Sequence, residues 1–502
     1  MMRKFIRNYS GTVNRKIDVF PIGALTSKPY AFKARPWELK SNESIDLTDS
    51  TGSNVYVNFK ETEIMRVLPK RNSDINETII TDKARFSYDS NYNNRIRNIM
   101  EPKTSLDATD ATWESILGSH LASAALKNKK ITILVDEELD LETLSFLNNL
   151  SYSGDFNIKV RSTSRAESGS NFYSSWSTNS IKDFQTKNSK ACIVVSSNIK
   201  VESAILAAKI RVKCNQKDFK VYGLGFQTDM NLPVNYVHLD TDKLLKVFEG
   251  KDPQLSKILA NETNPIILFG ESFSKRFKNK EILYRMIKNI APSATIINID
   301  QACNSQGVQF TGLKSVTSGD ISNTDVLFAV NLDDNFSLKR LLSKYSGKLV
   351  WMNSHGSDTA ANADLVLPVP SSYESEGIYM NLEQKPQKSL KTFSEFGDAR
   401  NIKTIMSAIF FSENESENQD ISRKNNLKHL DFISELVHDP NLFYTIKKKQ
   451  SGTKEFVDAF YKGKVSSVNL YPHKTTIENF YMTTKETKNS TVMATCASEM
   501  RD

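Results

Sequence analysis

Ile131-Thr-Ile-Leu-Val135 is too short for a helix and too apolar for a strand with one wet face. A run of this kind reads as a strand covered on both sides, as in a parallel sheet packed between helices. Similar runs recur at Cys192–Val195, Lys220–Leu224, Ile266–Phe269, Thr295–Ile299, Val326–Val330 and Lys348–Met352. Helix-like patterns fall among them at Trp113–Leu126, Leu141–Leu150, Glu202–Val212, Lys243–Leu259, Lys280–Ile290 and Phe336–Tyr345. Strands alternating with amphipathic helices predict an α/β fold of doubly wound parallel sheets. Seven such strands fit two lobes better than one. A Ser-, Asn- and Gly-rich interlude, 151–190, breaks the rhythm and reads as a crossing between lobes.

The flanks differ. Upstream, Ser44–Leu47, Asn54–Phe59 and Glu63–Leu68 are β-like, with Thr51-Gly-Ser-Asn54 as a turn, which predicts a small β-rich unit. Arg35-Pro36-Trp37-Glu38 reads as a packed elbow with Trp37 anchored by burial. Downstream, 412–426 is polar, Leu430–Val437 and Glu455–Tyr461 suit short helices, and Ile477-Glu-Asn-Phe-Tyr-Met482 is an aromatic cluster too small to fold alone. The expected division is 1–16 as a presequence-like segment, 17–105 as the β-rich unit, 106–410 as two α/β lobes, side by side or interleaved, and 411–502 as a C-terminal extension that docks on the lobes or a partner.

Composition narrows the function. The 502 residues carry a net charge of +8, with lysines dispersed among Asn and Ser, so nothing predicts a nucleic-acid face. No apolar run approaches the ~20 residues of a membrane span. Met1–Ser10 holds Arg3, Lys4 and Arg7 and no acid, the composition of a mitochondrial presequence, which an ordinary basic N-terminus shares. The four cysteines, Cys192, Cys214, Cys303 and Cys496, lie far apart, and the six histidines are equally scattered, so the chain is expected to hold no metal of its own.

Candidate chemistry is sparse. Gly223-Leu-Gly225 follows a strand but lacks the third glycine of a dinucleotide turn. Phe269-Gly-Glu-Ser272 is an ordinary strand-to-loop glycine. His355-Gly-Ser-Asp358 follows a strand, where sheets of this kind place ligands, yet no nucleophile is identifiable beside it and a structural histidine is the expectation. Tyr373–Glu383 is acidic, but spacing alone does not separate catalytic carboxylates from a solvated loop. No catalytic, cofactor-binding or metal residue is predicted.

Pro21-Ile-Gly-Ala-Leu-Thr26 looks like the end of an iron–sulfur motif, in which a cysteine precedes the proline; here that residue is Phe20. Asp18–Lys40 together with Glu43–Asp46, Gly52–Asn54, Glu63–Pro69, Thr81–Phe86, Ala363–Pro368, Tyr379–Glu383 and Ile477–Thr483 resembles the family of the largest core subunit of respiratory NADH:ubiquinone oxidoreductase, complex I. The resemblance implies an N-terminal half bearing clusters and a C-terminal half of molybdopterin oxidoreductase type, with Rossmann-like lobes. It further implies a split arrangement. This chain would be a structural half in the mitochondrial matrix arm that carries no redox centre. It would dock, through Phe20, Pro21, Gly23, Arg35 and Trp37, on a cluster-bearing half and on other matrix-arm subunits. No cofactor is expected on this chain, and 4Fe-4S and 2Fe-2S clusters on the partner. The alternative is an active molybdopterin enzyme of the formate dehydrogenase type.

Overall fold

The computed structural model describes residues 16–19, 26–103, 112–161, 189–237, 247, 256–410 and 477–501, with short gaps within the third, fourth, sixth and seventh of these. The expectations for 1–15, Phe20, Pro21, Gly23, 412–426, Leu430–Val437, Glu455–Tyr461 and most of Lys243–Leu259 lie outside the described residues.

Strands β1 (Lys40–Ile45), β2 (Asn54–Lys60) and β3 (Glu63–Pro69) form a three-stranded antiparallel sheet. The chain then builds β4 (Ile131–Asp136), β5 (Phe156–Arg161), β6 (Ala191–Val195), β7 (Lys220–Leu224), β8 (Val234–Val237), β9 (Ile266–Phe269) and β10 (Thr295–Asn298). After these come β11 (Lys314–Ser315), β12 (Val326–Val330), β13 (Lys348–Asn353), β14 (Leu365–Pro368), β15 (Gly377–Met380) and β16 (Pro386–Ser389). Lobe 1 is a parallel sheet in the order β11-β5-β4-β12-β13-β14, and lobe 2 a parallel sheet in the order β10-β9-β6-β7-β8. The chain leaves lobe 1 after β5, builds lobe 2, and returns at β11, so lobe 2 is inserted in lobe 1. Strands β15 and β16 pair antiparallel.

Alternation between two covered faces explains why the central strands of each lobe are apolar on both sides. In lobe 1, Ile133, Val135, Phe328, Val330, Val350 and Met352 face one buried layer, which includes Leu144 and Leu147 of helix Leu141–Ser153 and Ile405 and Ile409 of helix Ile402–Phe410. Leu134, Leu327, Ala329 and Trp351 face the other. Lobe 2 repeats the scheme, with Ile193, Val195, Ile267 and Phe269 on one side and Cys192, Val194, Ile266 and Leu268 on the other. The α/β fold with two doubly wound lobes and a small β-rich unit is therefore the fold of the chain.

Three local expectations change. Strand β5 lies in the interlude read as a crossing; its neighbour β11 has two residues, and Ile158 and Val160 of β5 enter the core while Asn157 before them and Lys159 between them stay polar and less buried. Strand β1 ends at Ile45 and does not reach Leu47. Asp46 turns away because its carboxylate accepts the Thr48 amide (2.9 Å) and hydroxyl (2.6 Å) and the Thr81 hydroxyl (3.1 Å). Trp37 is 76% exposed, not anchored by burial; the Arg35 guanidinium lies 5.6 Å from its ring centroid, and the turn is tied down by Glu38 to Lys60 at 3.0 Å. Among the described residues, no helix is long and apolar enough to cross a membrane.

Candidate functional site

In open α/β sheets, ligands settle beyond the carboxyl ends of two neighbouring strands whose connections depart in opposite directions. Lobe 1 has that point between β4, which leads to β5, and β12, which leads to β13 and β14. The strand ends present Asp136, Asn331 and Asp333, and the chain's own C-terminal segment sits on them. Helix Lys485–Lys488, capped reciprocally by Thr484 and Thr487, aims Lys485 at Asn331 Oδ1 and Lys488 at both carboxylate oxygens of Asp333, 2.8 and 2.6 Å away. The Asp333 amide donates to Asp136 Oδ2 at 3.0 Å, and Arg161 donates to the Asp333 carbonyl at 2.5 Å. Burial, with the Glu486 and Asp136 carboxylates nearby, pushes the Glu138 carboxyl well above its ordinary range.

Lobe 2 has its equivalent point between β6 and β9. Here the space is taken by the Glu202 carboxylate, which accepts the Ser197 hydroxyl (2.8 Å) and the amides of Glu271 (3.2 Å) and Asn198 (3.3 Å). Burial raises the Glu202 carboxyl to about 7. Gly270 lets the strand ends close up: a Cβ there would lie 2.4 Å from the Ser196 carbonyl oxygen. Gly223 packs likewise against the Tyr236 ring, and Gly225, at φ +106°, against Ser196. No helix begins after Gly225; β8 follows, so these glycines serve packing and not a phosphate turn.

The remaining candidates tie units together. His355 Nε2–H donates to the Ser90 carbonyl at 3.0 Å and its Nδ1 accepts the Ser354 hydroxyl at 2.9 Å, while burial lowers its pKa to about 3. It is a neutral structural histidine. In the acidic stretch, Glu374 meets Arg95 in a buried two-pronged pair at 2.6 and 2.8 Å, and Gly377–Met380 is strand β15. Of the predicted interface residues, Arg35 and Trp37 stand together at the surface, close in sequence to Phe32, which is fully exposed at φ 64°. Sequence reasoning missed Glu202, Lys485, Lys488 and the Arg95–Glu374 pair; the capping-box spacing Thr484–Thr487 was the signal available for the lysines.

A family profile described as molybdopterin oxidoreductase matches residues 110–410. The "NADH-ubiquinone oxidoreductase 75 kDa subunit" of Acanthamoeba castellanii is 30% identical over 97% of this chain and 70% of its own length. The chain belongs to the 75 kDa subunit family of NADH-ubiquinone oxidoreductase. Similar relatives are the protein of the same name from Reclinomonas americana, 27% identical over 99% of this chain and 73% of that one. Another is "NADH dehydrogenase [ubiquinone] iron-sulfur protein 1, mitochondrial" of Solanum tuberosum, 29% identical over 97% of this chain. The chain spans 65% of the length of the Solanum protein.

The expectation that this chain binds no cofactor, with the clusters confined to a partner, is overturned. A profile described as the NDSU1/NuoG-like 4Fe-4S domain of NADH-ubiquinone oxidoreductase matches residues 39–89 and points to a cluster on this chain. A count of thiols does not register the matched unit's β scaffold, whose core is Val55, Val57, Ile64 and Val67. Residues 39–89 contain no cysteine, so any thiolate ligand comes from outside the matched segment. Among the described residues no three or more His, Cys, Asp or Glu are grouped to hold a metal ion, so these side chains do not fit a cluster as they stand. Cys192 and Cys303 are buried, which pushes both thiols up and away from thiolate character. A pterin fares no better. The lobe 1 crevice is lined by Asp136 and Asp333 and filled by Lys485 and Lys488, and the lobe 2 crevice is filled by the Glu202 carboxylate.

Proposed function

We propose that this chain is a structural subunit of mitochondrial NADH:ubiquinone oxidoreductase, held in the matrix arm. The observation that carries the reading is its similarity, over 97% of its length, to 75 kDa subunits of that complex. The lobes support it: each ligand crevice is closed by the chain's own side chains, as suits a scaffold that positions neighbours. The docking face is the turn from Lys28 to Glu38, where Phe32 and Trp37 are exposed beside Lys33 and Arg35. Two exposed aromatics beside cations form the kind of anchor that dominates protein interfaces. The partner there is the part of the assembly corresponding to the rest of the relatives' length, expected from the sequence as a separate polypeptide.

Native electrophoresis of solubilised mitochondrial membranes, followed by mass spectrometry of the NADH-oxidising band, tests the reading. Peptides of this chain should co-migrate with the other subunits of that complex. Migration apart from them would overturn it. The same experiment, run after denaturation, separates a distinct docked polypeptide from one continuous chain.

A further inference from the structure

The described C-terminal segment touches all three units at once. Its apolar side, Phe480, Tyr481, Met493 and Ala497, packs against Val201 and Ala204 of lobe 2 and Phe86 of the β unit. Its polar contacts to the β unit and the loop after it are numerous. Lys83 donates to the Thr483 hydroxyl at 3.1 Å and lies 4.7 Å from the Phe480 ring centroid. Asp89 accepts from the Thr491 hydroxyl (2.8 Å) and the Val492 amide (3.2 Å), and Asn93 and Asn94 both donate to Asn489. Toward lobe 1 the segment offers Lys485 to Asn331 and Lys488 to Asp333.

We infer that residues 479–501 are a latch that fixes the β unit and lobe 2 on lobe 1, with the Lys488–Asp333 pair as its catch. The argument is geometric. The segment packs on two units through apolar side chains and reaches the third through Lys485–Asn331 and the Lys488–Asp333 ion pair, contacts that add to the direct ties of Arg95 to Glu374 and of His355 to Ser90. Lys488 keeps 30% and Asp333 12% of their side-chain surface, so the pair is desolvated enough to be structured and open enough to be exchanged for its mirror image. The segment also caps the lobe 1 crevice, so its release would uncover Asp136 and Asp333.

Hydrogen exchange on the full-length protein tests this, comparing wild type with Lys488→Asp, Asp333→Lys and the double swap. Each single variant should raise exchange about tenfold or more in 479–501 and also in 39–89, while β12 and β13 stay protected. The double swap should return both regions to within about twofold of wild type. Unchanged exchange in 39–89 in the single variants overturns the latch, as does a double swap that restores nothing. If Asp333→Lys loosens β12 itself, Lys488→Gln carries the test alone: faster exchange in both regions supports the latch, and wild-type exchange in 39–89 overturns it.

Discussion

Replacing Arg95 by Met should be among the most damaging single changes in the chain. Arg95 follows the β unit, and its guanidinium is 1% exposed against a Glu374 carboxylate that is fully buried. It donates to both oxygens of Glu374 (2.6 and 2.8 Å), to the Ser354 carbonyl (3.0 Å) and to Asn91. Without it, Glu374 keeps the Ser371 amide at 3.1 Å as a donor to a buried negative charge. Removing one member of such a pair costs about 3–5 kcal/mol, because the survivor is left charged and dry. For a cooperative unit of this size, that corresponds to a fall in Tm on the order of 10 °C. Glu374→Leu should cost less, since the guanidinium retains three acceptors. The double variant Arg95→Met/Glu374→Leu should recover most of the loss, as buried pairs replaced by apolar groups of similar volume are often neutral. Urea unfolding followed by tryptophan fluorescence, to which Trp351, fully buried in lobe 1, contributes, measures all four proteins. Single losses that simply add in the double variant, within about 0.5 kcal/mol, would refute the claim that the two charges depend on each other.

Other consequences follow from the same contacts. Because burial raises Glu202 to about 7, its ionisation opposes folding. The favourable contribution is complete below the unfolded value near 4.5 and is lost as pH rises to about 7, a swing of about 3 kcal/mol. Glu202→Gln should flatten that part of the stability–pH curve, read by urea titration; an unchanged slope would count against it. Gly270→Ala should destabilise by about 1–3 kcal/mol, since the new Cβ would lie 2.4 Å from a backbone oxygen. Gly118→Ala, with nothing within 4 Å, should be neutral or slightly stabilising by urea unfolding. Trp37→Ala with Phe32→Ala should leave the melting temperature unchanged and reduce recovery of the chain in the assembled complex; a fall in melting temperature would mean the two rings are packed after all.

The lobes were legible because burial on both faces writes itself locally. Lys220–Leu224, Ile266–Phe269 and Val326–Val330 are read from their own residues, and the structure places strands on the same bounds. Strand β5 was not, since a strand near a sheet edge spends half its positions on polar residues and resembles a loop. Trp37 misled in the opposite direction, because a large aromatic is usually buried, and an exposed one is visible only when the fold shows that nothing covers it. The site is harder still. Arg95 and Glu374 are 279 residues apart, and Lys488 and Asp333 are 155 apart. No periodicity links such positions, and each residue alone looks like an ordinary surface charge. Their roles come from desolvation, which depends on where the three units meet. That also explains why the search for nucleophiles, glycine turns and thiol pairs found so little. Those signals are local, whereas the features that distinguish this chain are charges brought together at a junction, and the Lys488–Asp333 swap asks whether that junction is held in the way the contacts imply.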